Sequence, residues 1–252
     1  MDSEICSKLL EVNRRFYNEF GEAFAATRRR IQPGIGRILD MIPSEHPSDW
    51  LDLGCGSGAL GKVWSEQGRT GSYTGMDFSH TLLAEAEKTT AGLSSESLQL
   101  RYRYGDLMDP EWPSAFEGNT FDGILAFASL HHIPGQNHHR KIFENVRKLL
   151  KKDGCFIFSV WQFQNSPKLM QRVQPWDRIG ITRDMVEEGD TLLDWRFSLP
   201  GNDGKHGLRY VHLFSEAELD RLAEENGFRV SDRFYSDGAE GNLALYTVLK
   251  TL

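Results

Sequence analysis

Seven residues constrain this chain more than any others: Asp52-Leu53-Gly54-Cys55-Gly56-Ser57-Gly58, set between a short apolar stretch and a helical one. Glycine at alternate positions lets the backbone turn tightly and approach a ligand with no Cβ in the way. The helix that follows offers unpaired amide groups at its amino end. A strand, a glycine turn and a helix in that order open a doubly wound α/β domain. Gly56-Ser57-Gly58-Ala59-Leu60-Gly61 also fits the GxGxxG pattern of dinucleotide sites, so the turn alone does not name its ligand.

The rest of the chain alternates accordingly. A helical stretch over 4–30 leads through Pro33-Gly34 and a second short helix to a loop over 43–47. Strands are predicted over 49–53, 72–77, 98–104, 121–127 and 155–160, with helices over 59–67, after Ser79, and between Asn137 and Lys152. Ser215 and Glu218 form a capping box ahead of another helix that Gly227 closes, and strands over 228–234 and 242–249 end the sequence. The expected fold is α/β: a Rossmann-like, seven-stranded, mostly parallel sheet with helices on both faces and the last strand antiparallel. Residues 1–47 read as an N-terminal helical segment and 48–252 as one domain. Within it, 162–212 shows no strand–helix unit but carries Trp176, Trp195, Phe197 and Tyr210, and is expected to be a cap-like insertion over the carboxyl ends of the strands.

Composition narrows the partners. Cys6, Cys55 and Cys155 follow no CxxC or Cys/His ligand spacing, so neither a disulfide framework nor a zinc site is expected, and no metal is assigned. Met1 to Leu10 contain Asp2 and Glu4 and no signal-like apolar run, and no later stretch approaches membrane-spanning length. A cytoplasmic protein with no membrane partner is the expectation. The net charge of −7 opposes unassisted binding to a polyanion, so a nucleic-acid substrate would need a local basic patch or a partner. His138-His139-Arg140-Lys141 could guide phosphates, whereas the lysines at 148–152 sit where helix-end cations complement the helix dipole.

Three acids then bear on the ligand. Asp52 precedes the glycines and can take up the ammonium of an amino-acid moiety, a feature that would repel a pyrophosphate. Asp77, ending the second strand, is placed to accept two ribose hydroxyls, and Asp106, after the third, to read an adenine amino group. Acids at three consecutive strand ends suit a cationic nucleoside.

With these pieces the sequence resembles the class I methyltransferases, which use S-adenosyl-L-methionine. The resemblance rests on 51–58, on Gly75-Met76-Asp77-Phe78-Ser79, on Gly105-Asp106-Leu107, and on the run from Phe121 to His132. It implies a cofactor site built from Asp52, Gly54, Gly56, Gly58, Asp77, Phe78, Asp106, Leu107 and Ala126. There is no Asn/Asp-Pro-Pro-Tyr/Phe element after the fourth strand, and no cysteine nucleophile in that region. Both absences disfavour base methylation of those two types.

A narrower resemblance is to the tRNA methyltransferases that esterify the carboxymethyl group of wobble uridine. It rests on Phe16-Tyr17-Asn18-Glu19 with Phe24 and Thr27-Arg28, on Leu130-His131-His132, on Gly189-Asp190 leading to Trp195, and on Arg209-Tyr210-Val211-His212-Leu213-Phe214. Asp194 and Val211 depart from the family pattern. The resemblance implies tRNA as substrate and a small activator protein as a partner of the eukaryotic members. A carboxylate has a reference pKa near 4, so at neutral pH it attacks a methyl group without a general base and needs placement instead. Arg28 and Arg209 are the candidate clamps, since a guanidinium holds a carboxylate by a planar pair of hydrogen bonds. A phenol, hydroxyl or amine acceptor would need a base, for which His132 or His212 could serve, with His132 the candidate after the fourth strand. A small-molecule O- or N-methyltransferase therefore stays open, as does a non-enzymatic, cofactor-binding scaffold subunit.

Overall fold

The computed structural model describes residues 1–26, 30–196 and 206–252. Helices α1 (Ser3–Ala26) and α2 (Pro33–Met41) precede strand β1 (Ser48–Leu53), followed by α3 (Ala59–Glu66), β2 (Gly71–Asp77), α4 (His80–Thr89), β3 (Leu98–Tyr104), β4 (Phe121–Phe127), α5 (Gln136–Leu149) and β5 (Leu150–Trp161). Next come a four-residue helix α6 (Pro167–Met170) and strands β6 (Val173–Gln174), β7 (Asp190–Arg196) and β8 (His206–His212). Helix α7 (Glu216–Glu225) and strands β9 (Phe228–Ser236) and β10 (Ala244–Thr251) complete the chain.

Seven strands form one sheet in the order β3-β2-β1-β4-β5-β10-β9. β1 to β5 pair in parallel, and β10 runs antiparallel to both β5 and β9, as the alternation predicted. Chain order reverses between β1 and β4, which opens a crevice at the carboxyl ends of the strands. Apolar residues cover both faces. Leu51, Ile124, Phe143, Val146 and Leu222 pack on one side, and Trp50, Leu60, Trp64, Leu125 and Tyr246 on the other. A Cβ at Gly123 would lie 2.1 Å from the Trp50 ring, so the indole occupies the space that any other residue at that strand position would need. Ser79 caps α4 by accepting from the Leu82 N–H at 3.3 Å, and Ser215 caps α7 through the Glu218 N–H at 3.2 Å.

Two expectations are corrected; α1 is described over Ser3–Ala26, and the expected continuation over 27–29 lies outside the described residues. β5 begins at Leu150, which pairs with Phe121, so the predicted helix to Lys152 stops at Leu149; the register then shifts before Gly123 meets Cys155. The insertion is not irregular: β6, β7 and β8 form a three-stranded antiparallel sheet. Its strands escaped detection because both faces are buried. Tyr210 packs with Leu9 of α1 on one side, and Leu193 and Val211 with Phe163 on the other. A strand covered on both faces loses the alternation of apolar and polar residues. Among the described residues, no helix is long and apolar enough to cross a membrane.

Candidate active site

A cavity of about 230 Å³ lies at the carboxyl ends of β1, β2, β3 and β4, beneath α1. The glycine turn forms its floor. Gly54 and Gly56 adopt φ of +80° and +56°, and a Cβ at Gly56 would project into open space at the cavity wall, the clearance a close-lying ligand uses. Gly58 is the N-cap of α3 with φ +78°; it packs against Ala86 of α4 and does not line the cavity.

Asp77, Phe78, Asp106 and Leu107, expected in the cofactor site, all line the cavity. The Asp77 carboxylate accepts the Gly56 N–H at 3.0 Å and the Ser79 N–H at 2.9 Å, which binds the end of β2 to the glycine turn. Burial pushes its carboxyl up from the ordinary range, and those amide bonds pull it back in part. Asp106 accepts from the Met108 N–H at 2.9 Å and pairs with Arg14 of α1 at 2.7 Å.

Asp52 and Ala126 are placed differently from expectation. Asp52 lies on the same face of β1 as Trp50; it is buried, outside the cavity lining, and its carboxylate accepts from the Tyr73 hydroxyl. Burial raises its pKa to about 7, the Tyr73 bond opposes the rise, and Asp77 adds to it. Asp52 thus braces the turn from behind. Ala126 belongs to the apolar core under α5, and the cavity wall after β4 is made instead by Phe127, Ala128 and Ser129. Ala128 holds φ +52°, a conformation alanine rarely adopts, stabilised by its N–H bonds to the Ser159 carbonyl and hydroxyl, both at 3.1 Å.

One pH effect follows from the Asp52 carboxyl. Its folded pKa lies above the unfolded value, so the native state holds the proton more tightly and ionisation destabilises the fold as pH rises from about 4 to about 7. Asp52→Asn retains an acceptor for Tyr73 without the charge. Urea unfolding across that window is expected to show the variant gaining on the native sequence by roughly 2–4 kcal/mol and levelling off above pH 7. A difference that stays flat with pH would mean that Asp52 ionises normally.

Of the candidate catalytic residues, His132 lines the cavity. Its Nδ1 lies 3.1 Å from the Tyr210 carbonyl, which can only accept, so Nδ1 carries the proton and Nε2 is the acceptor. Arg209 does not line the cavity: it is buried, with its guanidinium 5.0 Å from the Phe16 ring centre and 4.9 Å from that of Trp161. Trp161, which itself lines the cavity, lies against the Arg209 guanidinium. Arg28 lies outside the described residues. His212, the other candidate base, is buried against Asp190 and Glu218, away from the cavity.

The cover comes from α1, which contributes Leu10, Asn13, Arg14 and Tyr17. These recur at three- and four-residue intervals, the spacing of one helix face, and that signal could have found them. The buried Asn13 amide donates to the His132 carbonyl at 3.0 Å and the Tyr210 carbonyl at 3.1 Å, and accepts from the Tyr210 N–H at 2.9 Å. The inserted sheet thus supports α1 from outside, and α1 closes the cavity.

The profile of a methyltransferase domain matches residues 23–232. The chain belongs to the methyltransferase domain family. A tRNA (carboxymethyluridine(34)-5-O)-methyltransferase of Schizosaccharomyces pombe is 25% identical over 240 residues, covering 89% of this chain and 92% of that protein. A protein described as a methyltransferase from Encephalitozoon cuniculi is 29% identical over 220 residues, covering 86% and 87%. A solved S-adenosylmethionine-dependent methyltransferase of Methanosarcina mazei superposes with a TM-score of 0.63 at 19% identity, covering 88% of this chain and 99% of that one. The fold is that of the class I enzymes, and the chain is a methyltransferase that uses S-adenosyl-L-methionine.

Proposed function

We propose that this methyltransferase esterifies the carboxymethyl group of a modified wobble uridine in tRNA. The observation that carries the reading is the extent of similarity to the Schizosaccharomyces pombe tRNA enzyme, which at 89% of this chain and 92% of that protein exceeds the strand–helix core alone. S-adenosylmethionine, when bound, supplies a methyl group activated on a sulfonium. The residues present suit it: Asp77 and Asp106 line the cavity, Asp52 lies behind its floor, and Gly56 leaves room for a ligand against the turn. In this placement Asp77 accepts from the ribose hydroxyls and Asp106 faces the base. Asp52 acts through Tyr73 and the turn rather than by direct contact.

The acceptor side uses α1 and the wall after β4. A carboxylate arrives ionised, so the enzyme's task is alignment, and Arg14 is the guanidinium of the cavity wall among the described residues. Trp161, backed by the Arg209 guanidinium, forms a rigid side of the space. Tyr17 and His132, ring centres 5.8 Å apart and nearly perpendicular, flank it, and α1 shields the reacting groups from water. The His132 acceptor nitrogen favours a second reading, in which it takes the proton of a hydroxyl or amine on a small molecule.

The deciding assay incubates the protein with isotopically methyl-labelled cofactor and tRNA bearing carboxymethyluridine, with and without a small activator protein of the tRNA-modifying family. Nucleoside mass spectrometry should find the labelled methyl ester. Label confined to a small phenol, alcohol or amine offered in parallel would overturn the tRNA reading and support the second.

A further inference from the structure

Behind the cavity wall, on the far side of Tyr210, lies a second polar cluster that methyl transfer does not use. His139 of α5, His212 of β8 and Glu218 of α7 converge there, each offering a ligand atom, with all three atoms within 4.8 Å of one another. Both imidazoles are buried, and Glu218 is nearly so, its side chain 12% exposed. We propose that these three residues form a zinc site that fastens the inserted sheet to the methyltransferase core.

The hydrogen bonds around the cluster support this assignment. The His139 Nε2 lies 2.7 Å from the Ile133 carbonyl, which fixes the proton on that nitrogen and leaves Nδ1, buried and with no hydrogen-bond partner, as a lone-pair donor. The His212 Nδ1 lies 2.7 Å from the Asp190 carboxylate, so Nε2 is directed at Glu218, 3.1 Å away. Metal-binding histidines characteristically give their second ring N–H to a carbonyl or a carboxylate, and here one does each. Asp190 is itself held by the Tyr210 hydroxyl at 2.7 Å and the Glu187 N–H at 2.8 Å.

Charge and geometry agree. Asp190 and Glu218 place two carboxylates against buried imidazoles, and a doubly charged cation neutralises them. Two nitrogens and one carboxylate oxygen suit zinc, at bond lengths of about 2.0–2.2 Å, with water completing the shell. Ligand atoms on such an ion stand roughly 3–4 Å apart, so side-chain movements of under about 1 Å would seat it. The ligands come from positions 139, 212 and 218, which form no compact motif, so no metal is legible in the local spacing.

The test uses the full chain without an affinity tag, stripped of metal by a chelator and titrated with zinc against a chromophoric competitor. One zinc per chain is expected, and cobalt substitution should give the visible absorption of a four-coordinate site. Glu218→Gln and His139→Phe should each weaken zinc binding by about 100-fold or more. Glu218→Gln keeps size and shape at a partly accessible position, so it decides the matter if the His139 variant does not fold. Absence of stoichiometric zinc at micromolar metal, or equal affinity in the native protein and Glu218→Gln, would overturn the site.

Discussion

Asp77→Ala is expected to weaken S-adenosylmethionine binding by about 100-fold or more, read as the Kd from titration calorimetry. In the proposed placement its carboxylate accepts two ribose hydroxyls, and hydrogen bonds to a charged group are worth about 1.5–3 kcal/mol each. With tenfold per 1.4 kcal/mol, losing both gives two decades or more. The truncation also frees the Gly56 and Ser79 amides that the carboxylate holds at 3.0 and 2.9 Å, so the turn loosens as the contact is lost. Asp77→Asn separates the two effects. It retains an acceptor for the Gly56 N–H but not the negative charge, and should bind with intermediate affinity. If both variants bound as tightly as the native protein, the ribose contact would have to lie elsewhere.

The second large effect concerns stability and begins at Asn13. Removing its amide strands the Tyr210 N–H and takes a donor from the carbonyls of His132 and Tyr210, all at a buried junction. Buried groups left unpaired cost about 1–3 kcal/mol each, so Asn13→Ala should lower unfolding free energy by roughly 2–4 kcal/mol. Asn13→Asp should be at least as damaging at neutral pH, since a carboxylate oxygen then faces two carbonyls. The measure is the urea midpoint at constant slope, because a changed slope would signal an altered denatured state instead. Cofactor affinity should fall as well, because the Tyr210 carbonyl that Asn13 holds also fixes the His132 ring at 3.1 Å. A loss of less than 1 kcal/mol would show that α1 is held mainly by its apolar face.

The parts of the fold that follow local rules could be read from the residues. The glycine turn, the Ser79 and Ser215 caps and the parallel progression to β5 each announce themselves within a few positions, and Asp77, the last residue of β2, and Asp106, two residues beyond β3, reach the cavity because the carboxyl ends of the strands border the crevice. Asp52 and Ala126 illustrate the opposite. Each lies within its strand or at the penultimate position, where pleating decides the face, and neighbouring packing turns Asp52 toward Tyr73 and Ala126 toward the core. The inserted sheet and the Asn13 clasp depend on partners far apart in sequence. No window of a dozen residues contains that information.

The Asn13 contact with Tyr210 joins residues separated by 197 positions, with β1 to β5 of the central sheet between them. During synthesis from the amino end, α1 therefore emerges long before the strand that receives it. Until β7 and β8 have left the ribosome, Leu9 lacks Tyr210 and the Phe16–Phe20 pair has Leu82 and Phe78 but not Trp195, so the nascent helix carries a partly uncovered apolar face. The cover of the cavity is thus made well before the strand that seats it, so a chain arrested short of β8 should carry the apolar face of α1 without its main support.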